Sequence, residues 1–164
     1  MQVAVMGAGS WGTVFSMILA DAGCEVVLWT RSEDIVAEVN ESRTNSRYHS
    51  QLRLPDGICA TTIADEALKN SELVILALPS QTLRENLAQW AHLIPETAVV
   101  VSLIKGIELG TSMRMSEVIA EVAKISVDRI AVVSGPNLAH EIAAREPAAT
   151  TVACLNEDLS LIHI

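Results

Sequence analysis

Aromatic side chains are scarce: three tryptophans, one tyrosine and one phenylalanine make up 3% of the 164 residues. Positive charge is scarce too, with 11 Lys and Arg against 20 Asp and Glu and a formal net charge of -9. A chain with few rings for bases to stack on, and a net charge that repels polyanions, argues against nucleic acid and anionic membrane surfaces as partners. Cysteine is limited to Cys24, Cys59 and Cys154, odd in number and far apart. With neither CxxC nor Cys/His ligand spacing, they point to free thiols in a reducing cytoplasm and to no metal site. His49, His92, His140 and His163 are scattered, and His140-Glu141 lacks the second histidine of a zinc-protease helix. No GxSxG surrounds Ser102 or Ser134, which excludes a serine-hydrolase elbow there. The N-terminal MQVAVMG has no basic leader region, and no apolar run approaches the ~18 residues of a membrane helix. The sequence therefore predicts a soluble, untargeted chain with no membrane insertion.

What is present is apolar and regularly punctuated. Half of the residues are hydrophobic and the mean hydropathy is +0.35, as expected for strands buried on both faces of a parallel sheet. Such runs occur at 2–6, 25–29, 58–62, 72–78, 98–103, 130–134 and 149–154. Between them lie segments that read as helices. The first, 11–22, ends at Gly23, a natural C-cap, and Ser32 is placed to cap the next. "ADEALKNS" follows, and then a helix opened by Ser80 with Leu83, Leu87, Trp90, Ala91 and Ile94 on one face. Further helices are predicted over Ser112 to Ala123 and Asn137 to Ala144, with Asn156 capping a last one. The polar stretch 43–57 is the one long loop, and long loops in compact domains are often functional. Strand alternating with helix predicts a single doubly wound α/β domain, mostly parallel, with ligands at the carboxyl ends of its strands.

Residues just after each apolar run are thus the ones to weigh. Gly7-x-Gly9-x-x-Gly12 directly follows the first predicted strand and opens a helix. In that context the glycines allow a tight turn, close approach of a pyrophosphate and tight helix packing, with helix amides facing the anion. Trp11, inside the turn, could equally pack the helix on the sheet. Where an NAD-specific site would carry an acidic residue, the chain has Trp29, Thr30, Arg31 and Ser32. Arg31 suits a 2′-phosphate and favours NADP(H), while Glu33 and Asp34 leave NAD(H) open, and a merely solvated arginine is the plain alternative. Lys105, one of three lysines, follows the 98–103 run and could offer a point charge to a phosphate or carbonyl, or be an ordinary loop lysine. Ser134-Gly135-Pro136-Asn137 stands at the equivalent place after the next strand, either an anion-binding turn or a plain strand–helix junction.

Four motifs in order, "GAGSWGT" (7–13), "ALPSQ" (77–81), "KGIELGT" (105–111) and "SGPNLAHE" (134–141), are collectively specific. With them the chain resembles the N-terminal, Rossmann-like domain of bacterial NAD(P)-dependent glycerol-3-phosphate dehydrogenases, over residues 2 to about 154. "NSRYHSQLRLP" also resembles that family's Asn-x-x-Tyr loop, but His49-Ser50 stands where a Leu-Pro pair is usual. The resemblance implies that Ser10, Trp11, Arg31, Tyr48, Lys105 and Ala139, beside Gly7, Gly9 and Gly12, contact NADP(H). It implies that Lys105, Gly135 and Asn137 contact sn-glycerol 3-phosphate, Asn137 replacing the usual Ser or Thr. The implied reaction is reduction of dihydroxyacetone phosphate for glycerophospholipid synthesis. Its proton-transfer lysine would belong to an all-helical C-terminal domain, and no catalytic residue is expected in this chain. The expected division is a cofactor domain over 1–154 and the start of a truncated helix or tail over 155–164. A fragment of this kind is expected to be largely inactive alone, and the full-length protein is compatible with a homodimer. The rival readings are a non-catalytic dinucleotide-binding module and a related two-domain hydroxyacid dehydrogenase.

Overall fold

Each apolar run becomes a strand, and the central ones are apolar stretches rich in Val, Ile and Leu that suit a sheet covered on both faces. The computed structural model describes residues 1–160, so His163 and the rest of the expected tail lie outside the described residues. The first half runs β1 (Gln2–Met6), α1 (Ser10–Asp21), β2 (Glu25–Trp29), α2 (Glu33–Ala37), β3 (Ile58–Thr61), α3 (Ala64–Leu68) and β4 (Leu73–Leu76). The second runs α4 (Leu83–Trp90), β5 (Val99–Ser102), α5 (Met115–Ala123), β6 (Ile130–Ser134), α6 (Ala139–Ala143), β7 (Thr151–Cys154) and α7 (Glu157–Ser160). Among the described residues seven strands form one sheet ordered β3-β2-β1-β4-β5-β6-β7. All pairs are parallel except β6 with β7, where Ser134 pairs with Thr151 and Ala131 with Cys154. That last strand is antiparallel because the chain leaves β6 at its carboxyl end, makes only the short α6 there, and re-enters the sheet from the same end.

Alternation along β1 sorts the core into two layers. Val3 and Val5 face Val14 and Met17 of α1 and Ile35 of α2. Ala4 and Met6 face the other way, with Ala67 and Leu68 of α3, Leu83, Leu87 and Trp90 of α4, and Met115, Val118 and Ile119 of α5. Leu83 and Leu87 are fully buried, and burial of such a side chain stabilises the fold by about 1.5–3 kcal/mol. Order reversal between β1 and β4 makes the crevice beyond their carboxyl ends the ligand position of a doubly wound sheet.

Several helix ends agree with the sequence reading. Gly23, at φ +85°, donates to Ala20 O and closes α1. Ser32 Oγ accepts from the Ile35 amide, and Asn156 Oδ1 from the Leu159 amide. Others need correction. Ser80 does not cap a helix: residues 80–82 form a 3-10 turn, and α4 begins at Leu83. Ser112 lies at φ +58° in a turn closed by its own amide on Glu108 O, so α5 starts at Met115. There the Glu117 carboxylate accepts from the Arg114 amide and guanidinium. Asn137 sends its side-chain amide to Thr150 Oγ1 instead of entering a helix, α6 starts at Ala139, and β7 begins at Thr151.

Two of the four sequence motifs interlock here. Gln81 Nε2 donates to Ile107 O at 2.9 Å while its Oε1 accepts from the Leu109 amide at 2.9 Å. Behind them Glu108, buried at 9% exposure, accepts from Arg84 Nε at 2.8 Å, Arg84 Nη2 at 2.9 Å and Thr111 Oγ1 at 2.6 Å. The Arg84 and Thr111 hydrogen bonds hold the Glu108 carboxyl down to about 2 from its usual 4.5. The loop that follows Lys105 is therefore clamped by Gln81 of the 80–82 turn and by Arg84 of α4. A carboxylate held below its unfolded value stabilises the fold at neutral pH, and that contribution fades as pH falls from about 4.5 towards 2. Glu108→Gln should therefore melt below the unmutated chain at pH 7, with the gap narrowing steadily between pH 4.5 and 2 in thermal denaturation followed by circular dichroism.

Candidate functional site

The turn after β1 is built by exclusion of side chains. Gly7 has φ +124°, and a Cβ there would lie 2.5 Å from Ala77 O of the neighbouring segment after β4. A Cβ on Gly12 would collide with Gly7 O. Gly9 is different: its φ is -75° and a Cβ would meet nothing within 4 Å. Two of the three glycines thus serve close packing, while the middle one faces open space at the start of α1. Gly9 is the N-cap residue and no side chain caps the helix, so first-turn amides point towards that space. This is the arrangement a pyrophosphate requires: room above the turn and a positive helix end.

The other expected residues assemble around the same edge. A cleft of about 470 Å³ is lined by Ser10, Trp11, Ser80, Lys105, Asn137 and Ala139, joining the carboxyl ends of β1, β4, β5 and β6. Lys105 Nζ donates to Gly135 O at 3.3 Å, which brings "KGIELGT" against "SGPN". Gly135, at φ +150°, could carry no Cβ, since Ala149 O would be 2.8 Å away. Asn137 lies beside it, with Nδ2 on Thr150 Oγ1 at 3.0 Å and Thr150 Oγ1 donating in turn to Ser134 O. The Asn137 amide is therefore partly committed within the protein. Trp11 packs edge-on against Phe15 of the same helix, with ring centroids 5.7 Å apart, and is half-buried against the core layer under α1 while also lining the cleft.

Arg31 and Tyr48 stand outside that cleft. Arg31 is exposed, directly after β2, whose Trp29 O accepts from the Gly7 amide at 3.0 Å. It thus flanks the glycine turn from the β2 side. Tyr48, 42% exposed and with the Arg47 guanidinium 5.8 Å over its ring, lines a second cleft of about 410 Å³ with His49 and His140.

Two residues of the long loop have a larger part than the sequence suggested. Asn45, 1% exposed, donates from Nδ2 to Ala8 O at 3.1 Å and Thr13 Oγ1 at 2.8 Å, pinning the loop beneath the glycine turn. His49, set aside above as one of several scattered histidines, places Nε2 3.0 Å from both Ser10 Oγ and Ser10 O. The Asn-x-x-Tyr spacing was the available signal for Asn45; nothing local marks His49, whose contact spans 39 residues. Among the described residues no group of three His, Cys, Asp or Glu could hold a metal, and Cys24, Cys59 and Cys154 are free. No helix among them is long and apolar enough to cross a membrane. A larger groove of about 670 Å³, lined by Phe15, Ile18, Leu19, Ile75, Val101 and Val133, runs along the α1 side of the sheet and lacks the cleft's Lys105.

The family described as NAD-dependent glycerol-3-phosphate dehydrogenase N-terminus matches residues 2–160. The chain belongs to this family. A glycerol-3-phosphate dehydrogenase [NAD(P)+] of Streptomyces griseus is 58% identical over 161 residues, covering 98% of this chain and 48% of the relative. That of Streptomyces avermitilis is 56% identical over 157 residues, covering 96% and 47%. Among solved structures, glycerol-3-phosphate dehydrogenase from Coxiella burnetii superposes with a TM-score of 0.88 at 31% identity, over 98% of this chain and 49% of that one. The chain spans about half the length of the curated relatives it matches.

The glycine geometry separates fold from ligand room. Gly12→Ala should cost about 3 kcal/mol or more, at the upper end of overpacking penalties because the collision is with backbone. Gly9→Ala should stay within about 1 kcal/mol of the unmutated chain, as surface changes do. Urea unfolding midpoints of the two variants measure both.

Proposed function

We propose that this chain is the cofactor-binding half of an NAD(P)-dependent glycerol-3-phosphate dehydrogenase acting on dihydroxyacetone phosphate, with NADP(H) favoured and NAD(H) admitted. The observation that carries this reading is the single cleft joining an open, anion-ready glycine turn to Lys105 and Asn137. When bound, the dinucleotide would supply the hydride that reduces the ketone.

The residues present divide that work. Amides at the start of α1, with Ser10, would hold the pyrophosphate, and the uncrowded face of Gly9 lets it approach. Trp11 and Ala139 would flank the dinucleotide, and Tyr48 would close over it from the 43–54 loop. Arg31, beyond β2, would pair with a 2′-phosphate through charge-assisted hydrogen bonds, which is the reason to favour NADP(H). Lys105 would offer its ammonium to the substrate phosphate or carbonyl, held by Gly135 O and by the clamped loop behind it. Gly135 and Asn137 would complete the substrate side. Hydride arrival at a ketone carbon leaves an alkoxide that needs a proton, so a general acid is required. The resemblance assigns that acid to a lysine of an all-helical half, and we place it there. This reading puts the product in glycerophospholipid synthesis and the protein in the cytoplasm, with no nucleic-acid partner and with a homodimer admissible for the full-length protein.

Titration of the chain with NADPH, read by tryptophan fluorescence, should show saturable quenching. Addition of a relative's helical half in trans should restore dihydroxyacetone-phosphate-dependent NADPH oxidation that the chain alone lacks. Nucleotide binding with no triose-phosphate response under complementation would instead mark a non-catalytic module. Lys105→Ala should abolish the triose-phosphate response while leaving binding of adenosine 2′,5′-bisphosphate unchanged. Arg31→Ala should weaken that same ligand about tenfold or more, as loss of a hydrogen bond to a charged group does.

A further inference from the structure

We infer that His49 is a positioning residue for the pyrophosphate, acting through Ser10; this rests on the dinucleotide reading above and assigns a role within it. His49 Nε2 stands 3.0 Å from Ser10 O and 3.0 Å from Ser10 Oγ. A carbonyl oxygen can only accept, so Nε2 carries the proton, whether the ring is neutral or charged. The same N–H then lies on the acceptor side of Ser10 Oγ. A hydroxyl has one proton, and with its acceptor side taken by the imidazole that proton is directed away from His49. The first turn of α1 has open space beside it: Gly9 precedes Ser10, and a Cβ there would meet no atom within 4 Å. Ser10 is thereby set as a donor towards an anion over the turn, and its polarisation by the His49 N–H strengthens that donation.

The loop is built to hold the imidazole there. The Asn45 side chain is anchored on Ala8 O and Thr13 Oγ1. Asn45 and His49 form a backbone bridge, with the His49 amide donating to Asn45 O at 2.9 Å. At its far end the loop is closed by the Leu54 amide on Arg43 O at 2.8 Å. A leucine at position 49 could fill the space but could not donate.

The test is a double-mutant cycle on NADPH affinity in the 164-residue chain, measured by fluorescence quenching, with circular-dichroism melts confirming that each variant folds. His49→Leu should raise the dissociation constant about fivefold with Ser10 present, the size of one hydrogen bond, and leave it unchanged in a Ser10→Ala background. His49→Gln, which keeps an N–H near the same place, should bind within about twofold of the unmutated chain. Equal losses in both backgrounds, no loss at all, or a glutamine variant as weak as the leucine one would overturn the role of His49 alone. Failure of the unmutated chain to bind NADPH would overturn both this role and the dinucleotide reading.

Discussion

The rest of the site depends on how closely α1 approaches the sheet. Gly12 lies so near Gly7 O, and Gly7 so near Ala77 O, that neither position has room for a Cβ. This contact ties β1, α1 and the end of β4 into one unit, and it fixes where the first-turn amides point. Backbone cannot yield as the end of a flexible side chain can, so the approach is rigid. A rigid turn is also what anion binding needs, because donors already in place lose little freedom when a ligand arrives. Packing and recognition are here the same constraint seen from two sides of one turn.

From that unit outward, each residue of the candidate site is held by residues outside it. Lys105 projects from a loop whose next residues are gripped by Gln81 and whose Glu108 is sunk against Arg84 and Thr111. Gly135 and Asn137 sit where the chain turns back into an antiparallel β7, with Thr150 bridging Asn137 and Ser134 O. The loop carrying Tyr48 and His49 is pinned from below by Asn45, and this anchor carries a cost. Asn45 Oδ1 is buried with no hydrogen-bond partner among the described residues, a deficit of about 1–3 kcal/mol. That the amide is retained there fits its two donated bonds under the glycine turn, which hold together segments 37 residues apart.

The sheet was legible because parallel strands write themselves as unbroken apolar runs, and β1, β2 and β6 occupy the spans read from the sequence. The glycine turn was legible for a related reason: its spacing encodes a backbone contact, and that contact is present. Helix starts at Ser80, Ser112 and Asn137 were misplaced because Ser and Asn serve turns as well as caps. Ser112 went into a left-handed turn closed on Glu108 O, four residues back, and Asn137 into a bond to Thr150 that no local pattern shows. His49 is the sharpest case. A lone histidine in a polar loop has no periodicity to read, and its partner Ser10 is brought to it only by the fold.

Charge makes the local arrangement decisive. A chain of net charge -9 offers a dinucleotide's phosphates no attraction as a whole. Exposed charges are screened over about 8 Å at physiological ionic strength, however, so distant carboxylates matter little at the turn and neighbouring groups matter most. At that edge the nearby groups are the uncapped amides of α1, Arg31 after β2 and Lys105 after β5, on opposite sides of β1. Glu108, the acidic residue three positions beyond Lys105, is turned inward and engaged by Arg84, so its charge is compensated behind the loop. A phosphate placed at this edge thus stands nearer the first-turn amides, Arg31 and Lys105 than the carboxylates of the distant surface. The attraction is therefore a matter of placement, with two cations of a cation-poor chain standing where β2 and β5 end.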